Sequence, residues 1–133
     1  MNPSDSFGLI TIPSHHSVDE TVTRLTELLA VKGVKLFAVI DHSGEAAAAG
    51  LQMPPTKVVI FGNPKGGTPL MLAAPSVAID LPLKLLIAQS SGPGAEVTIT
   101  WNSVDYLRER HNLPEELMAN IAVIEGLARK AAE

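Results

Sequence analysis

Apolar positions along the chain fall into two periods, and the period changes where glycine, proline or a capping residue intervenes. Phe7-Gly8-Leu9-Ile10-Thr11-Ile12 reads as a short strand that stops at Pro13. Val18, Val22, Leu25 and Leu29 then recur at helical spacing, with Thr21, Arg24 and Glu27 between them. Ser17 and Glu20 have the spacing of a capping box, and Gly33 suits a left-handed C-cap, so the pattern predicts a helix over about 18–32. Val34–Ile40 is strand-like and is broken by Asp41-His42-Ser43-Gly44; Glu45–Ala49 predicts a short helix ending at Gly50. Lys57–Phe61 predicts a third strand, Gly62–Gly67 a loop, and Thr68-Pro69 a cap and first turn of a short helix to about Ala74. Leu83–Ala88 and Glu96–Trp101 flank Ser90-Ser91-Gly92-Pro93-Gly94 and predict a hairpin. After a polar helical stretch, Val104–Arg110, and a turn at His111–Pro114, Leu117, Ile121, Ile124 and Leu127 mark a second packed helix over 114–131.

The order strand–helix–four strands–helix, with short helices inserted, predicts one α+β domain over 1–133, two-layered, with an antiparallel-rich sheet. Such a sheet buries one face and wets the other, so its strands alternate. The last strand obeys, with Val97, Ile99 and Trp101 opposite Glu96, Thr98 and Thr100. The inner strands do not: Val58 and Ile60 oppose Val59 and Phe61, and Leu83, Leu85 and Ile87 oppose Leu86 and Ala88. A second apolar face therefore needs a cover, which the Pro69–Pro82 segment, a ligand or a second copy of the chain could supply. A homodimer is the expected partner state.

Composition narrows the chemistry. The chain has 133 residues, long enough for one self-sufficient core, and no cysteine, which excludes thiol nucleophiles, disulfides and cysteine-held metals. Ten Lys and Arg against fourteen Asp and Glu give a net charge of −4, without a basic stripe, so no nucleic acid or anionic membrane partner is expected. Met1-Asn2-Pro3-Ser4-Asp5-Ser6 lacks a basic residue and does not read as a signal peptide, and no apolar run approaches a membrane span, so a cytoplasmic protein is expected.

Two places could carry chemistry. His42 follows a strand end, where an imidazole could act as base, acid or ligand, or simply cap the next helix. Asp41 precedes it, but neighbours on a strand point to opposite faces, so the two are not a dyad. The Asn63-Pro64-Lys65-Gly66-Gly67-Thr68-Pro69 stretch superficially suggests a phosphate loop, yet Lys65 precedes both glycines and the P-loop spacing fails. What remains is a flexible turn before a helix N-terminus, suited to a small anion or to a purely structural role. His15-His16 reads as a solvated pair, His111 as a surface residue and Trp101 as core; no metal-ligand spacing and no G-x-S-x-G motif stands out, so no metal or cofactor is expected.

At Val39-Ile40-Asp41-His42, Ile60-Phe61-Gly62-Asn63-Pro64, Gly67-Thr68-Pro69-Leu70-Met71 and Asp80-Leu81-Pro82-Leu83-Lys84 the chain resembles the domain of unknown function 302 family, over about residues 17–101. The resemblance implies a small two-layer α+β domain of the kind shared with TATA-box-binding-protein-like folds, and no established activity. It singles out His42, Asn63, Pro64, Thr68 and Pro69, and Met53 stands where members often carry a basic residue.

The reading that follows is a ligand-binding or protein-interaction domain. Its expected site joins the His42 turn to the Asn63–Thr68 loop: His42 and Asn63 supply hydrogen bonds, while Lys65 and the amides of Gly66, Gly67 and Thr68 receive a small anion. The alternative is a small enzyme using His42 as general acid/base. Both require His42 to lie within about 10 Å of the loop, since direct hydrogen-bond reach is shorter still.

Overall fold

Ser17 caps the first helix as its sequence spacing suggests, accepting a 3.1 Å hydrogen bond from the Glu20 amide. Glu20 does not complete the box; its carboxylate lies 3.5 Å from Nδ1 of His16 instead. In the structure, a computed structural model that describes residues 7–133, this helix is α1, Val18–Val31. The residues of the signal-peptide expectation, Met1–Ser6, lie outside the described part. Val18, Leu25 and Leu29 form the buried stripe of α1, joined by Thr21, whose hydroxyl donates to the Ser17 carbonyl and bonds Ser14 Oγ.

Among the described residues, five strands, β1 Leu9–Pro13, β2 Lys35–Asp41, β3 Thr56–Gly62, β4 Leu83–Gln89 and β5 Val97–Asn102, build a single sheet in the order β1-β5-β4-β3-β2. Every pairing is antiparallel, so β2 to β5 form a meander and β1 closes onto β5 at the far side. The expected antiparallel α+β architecture, with the β4–β5 hairpin, is what the chain adopts. Short helices α2 His42–Ala48, α3 Pro64–Ala73 and α4 Val104–His111 interrupt the meander and its exit, and α5 Ala119–Ala132 packs on α1.

Register divides the sheet into two unlike faces. Val59 and Phe61, Leu83, Leu85 and Ile87, and Val97, Ile99 and Trp101 point one way and are buried under α1 and α5. Arg24 of α1 donates from Nε to the Ala131 carbonyl at 3.1 Å and from Nη2 to the Lys130 carbonyl at 2.9 Å, tying the two helices together. The opposite face carries Ile40, Val58, Ile60 and Leu86, none of which is buried. Of the three possible covers, the Pro69–Pro82 segment does not supply one. Leu70, Ala74 and Val77 of that segment join the core on the helical side, because α3 and the 3₁₀ turn Pro75–Ile79 pack towards α5 and α4.

Candidate functional site

The two turns expected to converge do not. β2 and β3 are antiparallel, with Asp41 opposite Lys57 and Lys35 opposite Gly62, so His42 and Asn63 leave opposite ends of the strand pair. At ~3.3 Å per residue the separation is about 20 Å, beyond any shared hydrogen-bonding site. His42 is the first, exposed residue of α2 and has no hydrogen-bond or ion-pair partner among the described residues. The cap of α2 is Asp41, which accepts from the Gly44 amide at 2.9 Å and from Ser43 Oγ at 2.7 Å. These two hydrogen bonds hold its carboxyl below the usual carboxylate range.

The second turn is not a loop. Asn63 caps α3, which begins at Pro64 rather than at Thr68-Pro69 and holds Pro69 in its interior. Pro64 has no amide proton; Asn63 Oδ1 accepts from the Lys65 amide at 3.0 Å, and the Asn63 carbonyl accepts from Gly66 at 2.9 Å and Gly67 at 2.8 Å. The Gly66 and Gly67 amides expected to receive an anion are thereby bonded within the chain, and Lys65 is exposed. The helix-terminus basis for an anion site is absent for that reason.

What the α3 end does create is a cavity of about 280 Å³. Phe37, Met71, Leu81, Pro82, Leu83 and Ile121 give it apolar walls, and Asn63, Thr68 and Asn120 supply polar groups at its margin. Asn63, Gly67 and Thr68 of the sequence-derived set line it; His42, Lys65 and Gly66 do not. A register irregularity between Leu36 and Ala38 sets Phe37 out of the regular pairing of β2, with Cε2 3.6 Å from where a Cβ on Gly62 would stand. Asn120 donates through Nδ2 to the Gly66 carbonyl at 3.1 Å and so anchors the start of α5 to α3. Gly67 faces Leu81 and Met71 across the floor, at 3.7 and 3.9 Å from the position a Cβ would take.

A family model for the domain of unknown function DUF302 matches residues 10–131, nearly the whole of this architecture. The chain belongs to the DUF302 family. A crystal structure of an uncharacterised DUF302 protein from Bacillus stearothermophilus has the same fold: TM-score 0.75 at 21% identity, over 94% of this chain and 95% of that one. The chain is also 42% identical over 106 residues to proteins of Brucella suis and Brucella abortus, each named fluoride-specific ion channel FluC 1. That match covers 80% of this chain but only 41% and 38% of those longer proteins. Among the described residues of this DUF302 chain, no helix is long and apolar enough to cross a membrane.

A third cluster escaped the sequence reading. His111, expected at the surface, is buried, with 3% of its side chain exposed. Its Nδ1 lies 2.7 Å from Ser76 Oγ and its Nε2 2.5 Å from Asp80 Oδ2. Arg110 Nε approaches the same Asp80 oxygen at 3.6 Å. Ser76 lies on the 3₁₀ turn and Asp80, four residues on, caps its end, while His111 arrives from the end of α4. The spacing of Ser76 and Asp80 is visible in the sequence; the approach of His111 depends on packing between α4 and the turn. The other expected placements differ less: Trp101 is core, His15 is exposed, and His16 is half-buried beside Glu20.

Proposed function

We propose that this DUF302 domain is a ligand-binding module whose site is the cavity between β3, α3, the Leu81-Pro82 segment and the start of α5. The observation that carries the reading is the lining: a mostly apolar hollow with Asn63, Thr68 and Asn120 at its margin. That composition suits a small, largely apolar molecule oriented by one polar group. A small anion is a poorer fit, since the α3 amides are bonded to Asn63. The likeness to proteins named fluoride-specific ion channels supports placing such a module beside membrane transport, where it would respond to a ligand rather than form the path of the ion.

The test is an amide NMR titration with indole and, separately, with sodium fluoride. Indole at millimolar concentration is expected to shift the Gly67 and Thr68 amides and the Asn120 side-chain amide. Fluoride is expected to leave them in place. In the Gly67→Leu variant, whose side chain extends towards Leu81 and Met71, the indole response is expected to disappear. No indole response in the native chain, or one that persists in the variant, would overturn the assignment.

We also propose that two copies of the chain pair along β2. This strand ends the sheet, and its exposed large apolar residues lie on both sides of it: Leu36 and Val39 on the helical side, Ile40 on the open side, and Phe37 where the register shifts. A partner stacked on the open face would leave Leu36 and Val39 uncovered, whereas a strand added at the edge reaches both sides of β2. Charge occurs only at the ends of β2, Lys35 at one and Asp41 at the other, so antiparallel alignment of two copies sets opposite charges together.

A further inference from the structure

We propose that Ser76, His111 and Asp80 form a nucleophilic centre that accepts acyl groups from small activated carboxylic esters, a site separate from the cavity. The order of the hydrogen bonds is what activation of a serine requires: nucleophile to base, and base to an orienting carboxylate. The Asp80 carboxylate 2.5 Å from Nε2 favours the tautomer with its proton on that nitrogen, and in that tautomer Nδ1 accepts from Ser76 Oγ at 2.7 Å. Either ring nitrogen can serve as the base when the carboxylate holds the proton on the other. Burial is graded in the useful direction. The imidazole is 3% exposed and the Asp80 side chain 15%, whereas Ser76 is exposed. The base is shielded from water while Ser76 itself lies at the surface, where an ester can approach it from solvent.

In the reaction, Oγ attacks the ester carbonyl carbon as its proton passes to Nδ1. The bond from that carbon to the leaving oxygen then breaks, the proton moves from Nδ1 to the departing alkoxide, and an acyl ester of Ser76 remains beside a free alcohol. Water attacks the acyl carbon with Nδ1 taking its proton, and the acid departs as Ser76 recovers its hydrogen. Asp80 keeps its charge throughout and holds the imidazolium in place. None of the three residues lines the cavity, so indole binding there and acylation here succeed or fail independently.

The experiment treats the whole chain with diisopropyl fluorophosphate, and in parallel with p-nitrophenyl acetate, followed by intact mass and peptide mapping. One adduct on Ser76 is expected, absent in Ser76→Ala. Asp80→Asn, which keeps the shape but permits the wrong tautomer, is expected to slow labelling at least tenfold, with circular dichroism confirming the fold. His111→Gln serves the same purpose if it folds; if it does not, Asp80→Asn and the exposed Ser76→Ala decide. No adduct, an adduct on another residue, or labelling of Ser76 at the native rate in folded Asp80→Asn would each overturn the proposal.

Discussion

The guanidinium of Arg24 holds the last turn of α5, donating to the carbonyls of Lys130 and Ala131 at 2.9 and 3.1 Å. The final carbonyls of a helix have no partner within it and carry the negative end of its dipole, so a cation donating to two of them acts as a C-terminal cap from another element. Arg24→Ala is expected to lower stability by about 1–2 kcal/mol, since charge-assisted bonds are worth more than neutral ones but this pair is partly solvated. Arg24→Lys is expected to recover part of the loss at most, because an ammonium lacks the guanidinium fork. Urea midpoints at constant m-value measure both.

Asp41 gives the chain a local response to acid. Its folded pKa lies below the ordinary value of 3.8 because the Ser43 hydroxyl and the Gly44 amide bond its charged form. A depressed carboxylate contributes stability above its unfolded pKa and loses that contribution as pH falls through the folded value. The start of α2 is therefore expected to loosen only below about pH 4. Amide exchange at Gly44 followed from pH 6 to pH 3 reads this directly. In Asp41→Asn the acid-dependent step is expected to vanish.

How much of this was legible beforehand depends on whether the deciding contact is local. α1 follows from Ser17 and the Val18–Leu29 stripe, all within its own sequence, and the strands follow from short β-rich runs between turn residues. The helix α3 is expected at Thr68-Pro69 but starts five residues earlier, at Asn63-Pro64, which is equally a capping residue followed by proline. The earlier start prevails because Asn63 satisfies the amides of Lys65, Gly66 and Gly67 at once. Asn63, Gly67 and Thr68 could be singled out from glycine and cap chemistry. Their apolar companions Phe37, Leu81 and Ile121 come from distant segments and carry no local mark. His111 is the extreme case: a polar turn predicts exposure, and only the distant Ser76 and Asp80 account for its burial.

Two glycines make opposite predictions. Gly8 has φ +88°, and a Cβ there would stand 2.4 Å from the Tyr106 ring, so Gly8→Ala combines a left-handed backbone with a collision. A loss of about 2–4 kcal/mol is expected, with the ring displaced from the β1–β5 end. Gly67 lies within α3, where an added Cβ meets Leu81 and Met71 at ordinary contact distance. Gly67→Ala is expected to raise stability by about 0.5–1 kcal/mol through the lost freedom of the unfolded chain, while narrowing the cavity. Thermal melts of both variants, beside indole binding by the second, test the pair together.

Pairing along β2 predicts a defined mass and a defined way to abolish it. One chain is 14.0 kDa, and light scattering at ~10 μM is expected to give twice that. In an antiparallel pair that sets Lys35 against Asp41 of the other copy the centre is Ala38, so a lysine at 39 is the diagonal neighbour of its counterpart, within reach of a long side chain, and like charges there repel. Val39 is 40% exposed, so Val39→Lys leaves the core of each copy intact. That variant is expected to run at the mass of a single chain with its melting temperature little changed at low protein concentration. A native protein that already has the mass of one chain, or a Val39→Lys variant that keeps the doubled mass, would exclude this edge as the interface.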